Sequence, residues 1–116
     1  MNDQELVIVH AADVDAEEVV MPGASGTRMR KALTEREGAP TCAMRIFEVE
    51  PGGHTPFHVH VWEHLNYILT GSGAIRTEDG ENPVRAGDVC LVKPGLRHQY
   101  VNTGTGTLSF ICLIPV

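Results

Sequence analysis

The chain has 116 residues, 42% of them hydrophobic, and a formal net charge of −6, which supports one domain with its own core and leaves no room for two. Charged residues make up 21%, an ordinary share that excludes wholesale disorder. No basic cluster exceeds Arg28-Met29-Arg30-Lys31, so no nucleic-acid partner is expected, and no apolar run reaches the roughly 18 residues of a membrane helix.

The start, Met1-Asn2-Asp3-Gln4-Glu5, is acidic where a secretory signal would be basic. Three cysteines without a CxxC spacing make neither a disulfide framework nor a thiolate site, and the expected compartment is the cytoplasm. Cys42 and Cys90 read as small buried residues in strands. Gly and Pro punctuate the chain at short intervals, and the segments between them are rich in Val, Ile, Leu, Thr and aromatics. In chain order the predicted strands are 6–10, 42–50, 57–61, 64–70, 74–77, 88–93, 98–102 and 108–114. Residues 28–38 are ambiguous: Met29 and Leu33 four apart with a Gly38 stop suit a short helix, but the reading taken is strand. Asp79-Gly80 predicts a tight hairpin turn after 74–77. The chain reads as all-β.

The histidines carry the chemistry. There are six: His10, His54, His58, His60, His64 and His98. Residues two apart on an extended chain share a face, so His58 and His60 can converge on one metal. His64 opens the next apolar run, and His98 opens another far along the sequence, the pattern of a site assembled by folding. His54, in the glycine-rich turn before His58, is a candidate proton shuttle at the pocket mouth. His10 is a candidate for a structural position or a dimer seam.

Gly52, His58, His60 and Gly71 fall on the first motif of the cupins, and Gly87, Gly95, His98 and Asn102 on the second. The chain therefore resembles a small single-domain cupin. The slot for the family's glutamate ligand holds His64, with Glu63 one residue early, and Lys93 stands at the motif's proline, with Pro94 after it. The run His58-Val59-His60-Val61-Trp62-Glu63-His64 is similar to a four-histidine, manganese-type subgroup. The resemblance implies one jelly-roll β-barrel over 1–116, with N-terminal strands or arm at 1–40 and the barrel core at 41–115. It also implies four metal ligands, His58, His60, His64 and His98, around one divalent ion. Mn(II) comes first and Fe(II) next; Zn, Ni and Cu also suit imidazole. Affinity is expected to fall below about pH 6.5, where free imidazoles protonate.

If those histidines face inward, strand parity turns Asn66, Ile68 and Tyr100 inward as well and Tyr67 outward. The resemblance places the face of Phe110, Cys112 and Ile114 toward the metal. Arg45 is the only charge on a face with Ala43, Phe47 and Val49, a candidate anchor for a substrate carboxylate. Phe57 and Trp62 flank the histidines as a candidate rim. Tyr100, with Arg45, Cys112 and His54, is a candidate to act beside the metal. The expected function is metal-dependent oxidation of a small organic, preferably anionic, substrate, dioxygenase-like or peroxide-dependent, including C–C cleavage. A non-catalytic ligand-binding or sensing cupin and an isomerase or decarboxylase working through a metal-bound enolate are the alternatives. A homodimer is expected, paired through 6–10.

Overall fold

A computed structural model describes residues 5–116; residues 1–4 of the acidic start lie outside the described residues. The alternation along β4 (His64–Thr70) holds through Leu69: His64, Asn66 and Ile68 are buried and Leu65, Tyr67 and Leu69 face out, while Thr70, past a register shift, is exposed. β9 (Leu108–Pro115) turns Leu108, Phe110 and Cys112 to the same interior. The two strands pair with Ile68 opposite Phe110 and Asn66 opposite Cys112.

Nine strands are described, each paired antiparallel with its neighbours: β1 (Ala16–Glu18), β2 (Ser25–Leu33), β3 (Cys42–His54), β4, β5 (Ser72–Thr77), β6 (Gly80–Arg85), β7 (Val89–Val92), β8 (Gln99–Val101) and β9. They form one curled sheet in the order β6-β5-β8-β3-β9-β4-β7, with β2 on the other edge of β3 and β1 beyond it. β3 joins the two halves of the roll. Along its first part Phe47 sits opposite Met29 of β2 and Phe110 of β9, and at its far end His54 meets Val101 of β8. The core between the halves holds Val49, Ile68, Ile75, Tyr100, Leu108, Phe110 and Cys112. Full burial stabilises the large apolar members by roughly 1.5–3 kcal/mol each. Gly71, on the first cupin motif, lies at φ 82°, and a Cβ there would collide with the Thr107 carbonyl, so both conformation and space require glycine.

Several predicted elements differ. Residues 6–10 form no strand, because nothing in the described chain pairs with them, and Leu6 and Ile8 are exposed. Residues 57–61 are not a strand either: the only ladder contact is an isolated bridge from His58 to His98. The stretch 28–38 is strand as far as Leu33. A 3-10 turn at Glu35–Glu37 follows, capped by Thr34 and Glu37 and closed by Gly38 at φ 91°. The hairpin turn falls one residue early: Thr77 pairs with Gly80, so Glu78-Asp79 make the loop and Gly80, at φ 129°, opens β6. Cys42 is exposed at the start of β3 and Cys90 is half-buried, against the expectation that both are buried. No helix among the described residues is long and apolar enough to cross a membrane.

Candidate metal centre

Four imidazoles come together from three segments. His64 enters from β4, and His98 from the residue before β8. His58 and His60 come from the extended loop after β3. That loop is held by paired backbone bonds, His58 N–H to the His98 carbonyl (3.1 Å) and His98 N–H to the His58 carbonyl (2.9 Å), and by Gly95 N–H donating to the His60 carbonyl (2.8 Å). The loop needs no strand to place its rings: the extended backbone turns His58 and His60 the same way, and their Nε2 atoms lie 3.2 Å apart. Ring centroids are 5.1 Å apart for His64 and His98, 5.0 Å for His60 and His64, and 5.6 Å for His58 and His98.

The tautomers can be argued from partners. Leu96 carbonyl can only accept, so His98 Nδ1 carries the proton and donates to it at 2.9 Å, leaving Nε2 as a lone pair. His64 Nδ1 lies 3.4 Å from the Cys112 sulfur, and with the proton on Nδ1 its Nε2 is likewise a lone pair. The Nε2 atoms of His64 and His98 are buried and have no hydrogen-bond partner, an arrangement that costs about 1–3 kcal/mol per group unless something accepts the lone pair. A divalent ion would be such an acceptor. At metal–nitrogen bonds of about 2.0–2.1 Å, cis ligands are about 3 Å apart, close to the His58–His60 separation. Among the described residues, no group of three or more ligand-type side chains already meets full coordination spacing. His60 lies nearly parallel between Trp62 (4.7 Å, 16°) and His64 (5.0 Å, 18°). The donor set, four imidazoles with two buried Nε2 atoms left without partners, fits a divalent ion.

Burial first, then the facing imidazoles and the Arg45 guanidinium, push His58 down to about 4 and His64 to about 3. His60 is lowered by burial, then by His98 and Arg45. Burial lowers His98 against the opposing Leu96 hydrogen bond. All four are neutral at pH 7, the form that ligates metal. The unfolded chain takes up protons near 6.5 that the folded chain refuses. Stability of the metal-free protein is therefore full above about pH 6.5 and lost progressively as pH falls toward about 4 and below. Urea midpoints at pH 7.5 and 5 are expected to show this loss, and a His64→Gln variant to show less of it.

Beside the imidazoles lies a cavity of about 240 Å³, walled by Val19, Met21, Met29, Phe47, Tyr100 and Phe110, with Arg45, His58, His60 and His64 also on its lining. Arg45 points in from β3. Its contacts are the Cys112 sulfur at 3.5 Å, the Met29 sulfur at 3.9 Å and the Phe47 ring at 5.1 Å, and its buried Nε has no partner.

Other expected pocket residues sit elsewhere. Ile68 is buried in the core and Ile114 packs against it; neither lines the cavity. Cys112 lies behind the wall, touching His64 and Arg45, and burial raises its thiol pKa. Phe57 lies under the Arg97 guanidinium at 5.2 Å, off the cavity. Trp62 is 39% exposed and reaches the site only by stacking on His60. Tyr100 contributes its ring, but its hydroxyl donates to Asn66 Oδ1 and burial drives its pKa upward, so it does not point at a metal-bound anion. His54 Nδ1 donates to the Gly23 carbonyl at 2.7 Å, which ties the β1–β2 loop to the wall, and lies 3.3 Å from the Gln99 amide; the ring is not on the cavity lining. His10 is exposed beside a 3-10 turn. The second-motif Asn102 is structural: it donates to the Val49 and Gly106 carbonyls, both at 2.8 Å, and accepts from Gly104 N–H. Sequence reasoning missed Val19, Met21 and Met29. Met29, opposite Phe47, carried the one available signal, an apolar side chain inside a charged run.

A rolled antiparallel sheet of short strands with histidines turned into its interior defines a cupin, and the chain belongs to that family: residues 45–114 match its Cupin domain pattern. It is 30% identical over 113 residues, 93% of each chain, to the oxalate-binding protein of Thermotoga maritima. The structure of the polyketide cyclase RemF from Streptomyces resistomycificus superposes with a TM-score of 0.89 at 36% identity, over 95% of this chain and 79% of that one. A gentisate 1,2-dioxygenase from a Ralstonia species is 31% identical over 67 residues, 57% of this chain and 19% of that enzyme.

Proposed function

We propose that the protein is a metal-dependent oxidoreductase acting on a small organic anion, by dioxygenase-like or peroxide-dependent oxidation extending to C–C cleavage. One divalent ion is held by His58, His60, His64 and His98, manganese first and iron next. The observation that carries this reading is the pair of buried, unpartnered Nε2 atoms on His64 and His98 facing the His58–His60 pair. When bound, the metal supplies a Lewis acid with about +2 charge undiminished by neutral ligands, and open positions for an anion and an oxidant.

The chain's own residues do the rest. The Leu96 carbonyl and Cys112 sulfur orient His98 and His64 from outside, as outer partners of metal-bound imidazoles do. Trp62 steadies His60 from the rim. Phe47, Phe110 and Met29 make the adjoining space apolar and exclude water. No Asp or Glu is among the described residues lining the cavity, so a carboxylate base is missing there, which weighs against proton abstraction and enolate chemistry. A second reading, ligand binding without turnover, is favoured by the name of the Thermotoga maritima relative.

The test is to load the purified chain with Mn(II) or Fe(II) and follow oxygen and peroxide consumption with small carbonyl and alkenyl acids. Turnover is expected in the natural chain and in His54→Ala, and none in His64→Ala. Saturable ligand binding with no consumption under either oxidant assigns the second reading.

The working unit we propose is a homodimer. Supporting it are apolar residues left outside: Leu6 and Ile8 on the unpaired N-terminal segment, and Leu65, Tyr67, Leu69, Val89 and Leu91 together on the outer face of β4 and β7. A second copy covers such faces best. Light scattering is expected to give twice the 12.6 kDa of one chain, and Leu65→Lys/Leu91→Lys to return it to one.

A further inference from the structure

Arg45 is a cation without an anion. None of the ion pairs among the described residues involves it; they join Arg30 to Glu48, Lys31 to Glu17 and Arg76 to Glu81. Its guanidinium offers five donors in a planar fork, and the side chains it meets are two sulfurs and an aromatic face. A half-buried cation with such partners is poorly compensated, and a carboxylate supplies the missing bidentate acceptor.

The remaining wall decides what the carboxylate is attached to. Val19, Met21, Met29, Phe47 and Phe110 offer no donor to a second charge. The volume, about 240 Å³, is that of about eight waters at about 30 Å³ each, so a two-carbon diacid would leave much apolar surface uncovered. The imidazoles form the other ring-bearing polar side of the space, linked to Arg45 through Cys112 by successive contacts of 3.5 and 3.4 Å, and the Thr55 hydroxyl, also on the lining, already accepts from the Tyr100 N–H.

We infer that the cavity binds a monocarboxylate with a ring-sized or branched apolar body, its carboxylate on Arg45 and its apolar part between Phe47, Phe110 and Met29. Placing the far end of the ligand, where a carbonyl or hydroxyl would sit, against the imidazoles rests on the metal reading above; the anchoring on Arg45 does not. Arg45 thereby sets specificity for acids over their neutral analogues, and the apolar wall sets it against small dicarboxylates.

The experiment is calorimetric titration of the full chain, metal-free and Mn(II)-loaded, with benzoate, benzamide and oxalate. Benzoate is expected to bind saturably and benzamide at least about tenfold more weakly, the loss that one charge-assisted hydrogen bond predicts. Arg45→Gln is expected to lose the benzoate preference while loading Mn(II) as the natural chain does, and Arg45→Lys to retain part of it. Equal affinity for benzoate and benzamide overturns the inference in the natural chain alone, whether or not the variants fold. Oxalate binding the metal-free chain more tightly than benzoate overturns the apolar-body part. Benzoate binding that persists in a chain unable to hold Mn(II) leaves the inference standing and removes the metal-dependent function instead.

Discussion

His98→Ala protein is expected to bind Mn(II) more than about 100-fold more weakly than the natural chain, beyond the about 10–100-fold typical of losing an outer partner of a ligand. The reasoning starts from position. His98 is buried, its Nδ1 proton is held by the Leu96 carbonyl, and its Nε2 has nothing to bond except whatever the other three rings surround. Its backbone bridge to His58 does not involve the side chain, so alanine keeps the loop carrying His58 and His60 in register. Circular dichroism of the metal-free variant should therefore match the natural chain, and the loss should appear only in metal competition titrations. His10→Ala, at an exposed position outside the cluster, is the control and should titrate like the natural chain. Unchanged affinity in His98→Ala would mean that the four rings do not share an ion.

The site was legible where side-chain parity alone decides orientation. Period-two alternation put His64, Asn66 and Ile68 on one face of β4 and Phe110 and Cys112 on one face of β9, and the first holds cleanly because β4 buries one side, while β9 also buries Ser109 on its other face. Parity also aligned His58 and His60, although their segment is a pinned loop and not the strand the apolar pattern suggested. Pairing was the part that composition could not reveal. Residues 6–10 have strand composition but no partner in the described chain, whereas β2, with three charged residues among nine, is a strand because β3 lies along it through long-range pairing. The same gap hid half of the cavity wall. Val19 and Met21, in the loop after β1, and Met29, on β2, reach the cavity only because β2 folds back on β3. Arg45 was readable as a lone charge on an apolar face; its want of an acidic partner is a property of the folded chain.

The core makes a prediction of comparable weight. Phe110→Ala is expected to cost about 3–5 kcal/mol of folding stability, the range for deleting a large buried aromatic, read as a lower denaturant midpoint at unchanged slope. Phe110 is wholly buried, sits opposite Phe47 on β3 and Ile68 on β4, and stacks between Phe47 (5.2 Å) and Tyr100 (4.4 Å). Its removal therefore deletes transfer free energy and two aromatic contacts at once, the latter worth about 0.5–1.5 kcal/mol each. Because the ring also borders the cavity, the void it leaves opens into existing space, so collapse of the walls recovers little. Trp62→Ala is the informative contrast. That larger ring is 39% exposed and touches the site chiefly through His60, so its deletion should cost less than about 1.5 kcal/mol in stability while releasing His60 from its stack and altering metal affinity. If the two substitutions proved equally destabilising, Trp62 would be packed into the core and the cavity rim would have to be drawn without it.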